Sequence, residues 1–152
     1  MKGTDNNLKR GFIRPAQPDD CSFIRKLSGE VFSQFGDYSE IMPQWFADQA
    51  VITFICADNK DRQGFAILHG PSREILAIAV DPACRRMGIG TTLLNEIEFL
   101  APKLGLNWIM LHTARENKAA RLFFRNAGFE VIETRERYYP KGQPALTMVK
   151  HV

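Results

Sequence analysis

The chain alternates short β-branched and aromatic runs with stretches whose apolar residues recur every three or four positions. "FIRPAQ", residues 12–17, reads as a brief strand closed by Pro15 and Pro18. Over residues 19–35, Phe23, Ile24, Leu27, Val31 and Phe32 keep helical spacing, with Asp19 or Asp20 as the cap and Gly36 as the stop. Residues 38–48 predict a second, shorter helix with Pro43 near its first turn. "VITFICA" (51–57) and "GFAILHG" (64–70) flank a polar turn and predict a hairpin. "REILAIAV" (73–80) is apolar on both faces from Ile75 to Val80, so this strand belongs in the middle of a sheet.

From Gly90 a helix carries Leu93, Leu94, Ile97 and Leu100 on one face until Pro102 bends or ends it. A strand over 107–114 follows, then a helix over 117–128 capped by Asn117 and stopped by Gly128. Residues 129–139 predict a long strand of mixed polarity, and 145–150 a closing one. The order β-α-α-β-β-β-α-β-α-β-β implies one α/β domain over residues 11–152, a mixed sheet with helices on its faces. Residues 1–10 read as a flexible polar tail; they lack the apolar core of a signal peptide.

Composition narrows the function classes. Hydrophobic residues are 45% of the 152, enough for a sizeable core. The net charge of +3 comes from 20 basic and 17 acidic residues, and no basic stripe with interleaved aromatics is visible, so no nucleic-acid partner is expected. No apolar run reaches the roughly 18 residues of a membrane span. Three scattered cysteines, Cys21, Cys56 and Cys84, show no zinc spacing and no disulfide framework. No metal is expected, and a reducing, cytoplasmic location fits.

The chemistry concentrates in "AVDPACRRMGIGTTLL", residues 79–94. A helix N-terminus offers unpaired N–H groups and partial positive charge. Glycine lets a ligand approach the backbone closely, and arginine adds charge and forked donors for phosphate oxygens. Arg85, Arg86, Gly88 and Gly90 therefore specify an anion site suited to a pyrophosphate, or else a plain strand-to-helix turn with a surface arginine pair. A Walker loop is excluded, because Thr91 and Thr92 follow Gly90 with no lysine. A dinucleotide fingerprint is excluded by Leu93 at its third glycine and by the acid-free strand Trp108–Leu111.

"RRMGIG" resembles the Arg/Gln-x-x-Gly-x-Gly/Ala motif of the GNAT acetyltransferases. The resemblance extends through "EILAIAVDPACRRMGIGTTLLNEIEFL", "LHTARENKAARLFFRNAGFEVI" and "IRPAQPDD", and is nearest to bacterial ribosomal-protein N-terminal acetyltransferases. It implies a mixed, mostly antiparallel sheet of about six or seven strands with about four helices, the fourth and fifth strands splayed. It also implies acetyl-CoA in that splay, transferring its acetyl group to a small amine or a peptide N-terminus, in a monomer or homodimer.

By this resemblance the backbone of Arg85, Arg86, Met87, Gly88, Ile89, Gly90 and Thr91 holds the pyrophosphate. Ile78, Ala79 and Val80 pair with the pantetheine arm and polarise the thioester carbonyl. Asn117 matches an asparagine that reaches the cofactor, alongside its reading as a helix cap. Two bases stand open for the amine proton. Glu74 matches the catalytic glutamate of the histone-acetylating branch, and His112 titrates near neutrality. The chief departure is Phe124, where the family places a tyrosine acid facing the thiolate. Tyr138 or Tyr139 in "RERYYP" is the expected substitute. "FSQFGDYSEIMPQWF" (32–46) should shape the acceptor pocket, with Asp37 and Glu40 drawing a cationic amine. Phe124 also leaves open an acyl-CoA-responsive regulator without turnover.

Overall fold

The computed structural model describes residues 11–152; the tail expected over residues 1–10 lies outside the described residues. The elements follow the expected order: β1 (Phe12–Pro15), α1 (Cys21–Val31), α2 (Tyr38–Ala47), β2 (Val51–Ala57), β3 (Arg62–His69), β4 (Glu74–Val80), α3 (Ile89–Leu100), β5 (Trp108–Ala114), α4 (Lys118–Asn126), β6 (Glu130–Arg135) and β7 (Ala145–His151). Seven strands form one mixed sheet in the order β1-β2-β3-β4-β5-β7-β6. The doubly apolar β4 takes the middle place, as its pattern requires. All neighbours are antiparallel except β4 and β5.

Each face of the sheet buries its own apolar cluster. On one, Leu93, Leu94 and Ile97 of α3 pack on Ile109, Leu111 and Met148. On the other, Ile24 and Leu27 of α1 and Met42 of α2 pack on Ile55, Phe65 and Ile67. Each such fully buried aliphatic side chain contributes about 1.5–3 kcal/mol of transfer free energy.

The feature that makes a site is a defect in the sheet. Across β3 and β4, Leu68 pairs with Ile75 and Ile67 with Ala77, which leaves Leu76 as an extra residue. Such a bulge bends its strand and increases local twist. β4 and β5 accordingly pair only at Glu74–Met110 and Ile75–Leu111. Beyond Leu76 the ladder between them stops, and a notch opens toward the N-terminus of α3.

Several expectations change. Asp20 stands at the start of α1, yet its side chain caps nothing in the helix. It is fully buried and bound by Arg14 at 2.8 Å and Arg62 at 2.6 Å, and it accepts the Gln17 amide. The Arg14 guanidinium holds its carboxyl well below the usual range. α1 ends at Val31 rather than at Gly36, because the chain turns at Phe32. The Ser33 and Gln34 carbonyls accept instead from Lys141 Nζ (2.9 Å) and Gln143 Nε2 (2.7 Å). Pro43 lies inside α2, past the first turn, where it removes a single helical hydrogen bond. The strand expected over 129–139 stops at Arg135. β6 is a sheet edge exposed along its whole length, and Arg137 then turns left-handed at φ 52°. Tyr138 and Tyr139 therefore sit on a loop, both amides donating to the Gln143 carbonyl.

Candidate active site

A cavity of about 680 Å³ fills the notch and runs past it to the loops after α1 and β6. One end is the mouth of α3. Gly88 occupies the N-cap in the left-handed region at φ 75°, and no side chain caps the helix. Arg86 is also left-handed at φ 65°, a backbone form found in anion-binding turns. Contrary to expectation, the Arg85 amide is taken inside the turn, donating to the Pro82 carbonyl at 3.5 Å. Arg85 and Arg86 are exposed at this rim and line the cavity. A Cβ at Gly90 would meet the Phe123 ring at 3.4 Å, an ordinary contact, so packing alone does not demand glycine there. α4 differs: its N-terminus is closed by Asn117, whose Oδ1 accepts from the Ala120 amide at 3.1 Å. The capping reading of Asn117 thus holds, and the residue also lines the cavity.

The walls of the notch are Ile78, Ala79 and Val80 on β4 and Thr113 and Ala114 on β5. Ala119, Ala120, Phe123 and Phe124 of α4 close the third side. Phe124 stacks edge-on against Phe123 and Phe129, so the wall there is hydrocarbon with no proton to give.

The far end is aromatic and nearly uncharged. Phe32, Phe35, Tyr38 and Trp45 face Tyr138 and Tyr139, with the Phe35 and Tyr139 rings 5.2 Å apart. Glu74 is the sole carboxylate lining the cavity among the described residues; Asp37 and Glu40 are exposed elsewhere and do not line it. Glu74 and His112, separate candidates in the sequence, form one pair: His112 Nε2 lies 3.1 Å from Glu74 Oε1. The parallel Glu74–Met110 and Ile75–Leu111 pairings put these positions side by side just before the strands diverge.

Burial pushes the Glu74 carboxyl up and the His112 imidazole down, with Arg135 adding to the latter effect. The imidazole is therefore neutral near pH 7, with one N–H and one lone pair. Burial also pushes the Tyr138 phenol up to about 12 and raises Tyr139 as well. Both phenols stay protonated and can donate. Tyr138 is nearer the pair, its ring 4.7 Å from that of His112.

A model of the acetyltransferase (GNAT) family matches residues 14–129. The chain belongs to the GNAT acetyltransferases. N-alpha-acetyltransferase 50 of Danio rerio is 42% identical over 62 residues, which are 40% of this chain and 37% of that protein. The chain matches about a third of the length of such curated relatives. Ard1 from Thermoplasma volcanium has the same GNAT fold, with a TM-score of 0.83 at 22% identity over 93% of this chain and 97% of that one. The ribosomal-protein-S18-alanine N-acetyltransferase from Escherichia coli gives a TM-score of 0.76 at 24% identity, over 93% of each chain.

Within this GNAT domain almost every residue singled out in the sequence meets the one cavity. Besides Asp37 and Glu40, Met87 is an exception: it packs against the apolar cluster beneath α3. Sequence reasoning missed Gln34, Lys141 and Gln143, which fix the two loops at the far end, and Thr147 behind His112. Nothing in the local pattern marks them, because their partners lie 35 to 109 residues away.

Proposed function

We propose that the protein is an acetyl-CoA-dependent N-acetyltransferase whose acceptor is the α-amine of a peptide. The observation that carries this reading is the Glu74–His112 pair at the inner end of a notch whose outer end is an uncapped, arginine-flanked helix mouth. A diphosphate suits the amides and guanidinium groups at that mouth. The β4 edge beyond the bulge suits an extended arm, which adds to it as a short strand would. The splay and the glycine turn fit such a group. When bound, acetyl-CoA supplies the acetyl group as a thioester.

The chain's own residues supply the rest. Glu74 takes the proton that the amine loses as its nitrogen joins the acetyl carbon and the carbon–sulfur bond breaks. Burial raises its basicity for that purpose. His112 stands behind it and donates Nε2–H to the carboxylate, which leaves Glu74 as the group facing the amine. A backbone N–H within Ile78–Val80 steadies the negative charge that grows on the acetyl oxygen. The leaving sulfur needs little acid help near neutral pH, since a thiol's pKa is about 8.5. Tyr138 and Tyr139 fit as the donors that Phe124 cannot be.

A peptide terminus is favoured by the aromatic, singly acidic far end, and the names of the zebrafish and Escherichia coli proteins point the same way. The test is thiol release and mass spectrometry with acetyl-CoA and a panel of N-terminal peptides, polyamines and lysine-containing peptides. Acetylation of peptide α-amines is expected. Tight coenzyme A binding without turnover on any acceptor would replace this reading with the regulator.

A further inference from the structure

We propose that Thr147, on β7, is a positioning residue that sets the tautomer of His112 and through it the readiness of Glu74. The argument is one of hydrogen-bond accounting. His112 is held at both ring nitrogens: Nε2 lies 3.1 Å from Glu74 Oε1, and Nδ1 lies 3.1 Å from Thr147 Oγ1. A neutral imidazole has one donor and one acceptor to share between these partners. An ionised carboxylate only accepts, whereas a hydroxyl either donates or accepts. The sole arrangement that satisfies both contacts has Nε2–H donating to Glu74 and the Thr147 hydroxyl donating to Nδ1. The other tautomer sets a nitrogen lone pair against the carboxylate.

The placement is built into the sheet. His112 and Thr147 are cross-strand partners in the β5–β7 ladder, and Thr147 is only 3% exposed, so water does not replace its hydroxyl. The groups facing the ring from the other elements are Glu74 on β4 and Tyr138 on the β6–β7 loop, with Glu133 and Arg135 of β6 at longer range. Among these, Thr147 alone reaches Nδ1. Threonine at a buried strand position is otherwise well replaced by valine, which keeps the branched shape and loses the hydroxyl.

The experiment compares wild type with Thr147→Val and Thr147→Ser. Nitrogen-15 spectra of the His112 ring in the free protein at neutral pH read the tautomer without any substrate. Wild type and Thr147→Ser should show Nδ1 as the unprotonated, hydrogen-bonded nitrogen; Thr147→Val should shift toward a mixture. The kinetic half rests on the acetyl-transfer reading. There Thr147→Val should lower kcat about tenfold at an unchanged KM for acetyl-CoA, and Thr147→Ser should stay within about twofold of wild type. In a His112→Phe background Thr147→Val should cost less than about twofold more. An unchanged tautomer in Thr147→Val overturns the proposal, as does a serine variant no better than valine, or losses that multiply with His112→Phe. If wild type turns over no acceptor, the acetyl-transfer reading fails, and the spectra still decide the role of Thr147.

Discussion

The two ends of the cavity are built in different ways. In the function proposed, the anion end comes from one short stretch, residues 85–91, and works through the backbone amides beyond Arg85 at a helix mouth, with side chains as accessories. The proposed acceptor end is assembled from five separate places: the loop after α1, α2, Glu74, His112 and the loop after β6. It works through side chains held by long-range ties, Gln143 to Gln34 and Lys141 to Ser33. A backbone site is sensitive to conformation and tolerant of side-chain change. A side-chain site is the reverse. The first should therefore govern affinity for the common acetyl donor, and the second the rate and the choice of acceptor.

Substitutions at each end can break that contrast. The largest effect is expected at Glu74→Gln, which removes the proposed base and leaves the anion end untouched. It should lower kcat by about 10²–10⁴ while calorimetry finds the acetyl-CoA Kd unchanged. The same variant sharpens the pH argument. Burial raises the Glu74 pKa, so its charged form is lost on acidification at a higher pH than for an ordinary carboxylate. The wild-type rate should climb with pH through that raised value and then level, and Glu74→Gln should lose this limb. A limb at the ordinary carboxylate pKa would place the base elsewhere.

Next comes Gly88→Val. A β-branched residue at φ 75° is strained and fills the turn, so the acetyl-CoA Kd should rise about a hundredfold with the Glu74–His112 pair intact. Retained affinity would show that the turn is not the binding element. Arg85→Ala removes a charged accessory donor and leaves the amides in place, so about a tenfold loss of affinity is expected. The smallest change is at Gln143→Ala, which cuts one exposed tie between the acceptor loops. It should raise the acceptor KM about threefold without touching acetyl-CoA binding. An effect on acetyl-CoA comparable with that of Gly88→Val would mean the ends are not separable.

The chain's own order of residues determined the element order, the central place of β4, the glycine turn and both members of the Glu74–His112 pair. Each of these is a local matter of period, composition or helix-start chemistry, or rests on a short motif. Tertiary structure decided the rest. The bulge at Leu76 that opens the notch depends on β3–β4 register, which no single strand encodes. Glu74 and His112 became one unit, and Thr147 joined them, because β4, β5 and β7 are neighbours in that order. Asp37 and Glu40 left the acceptor site and Asp20 left its cap, because a carboxylate's partner is set by what the fold brings beside it. Periodicity tells which face of an element is buried. It carries no information on which distant element comes to lie against that face, and the acceptor end is made of such meetings.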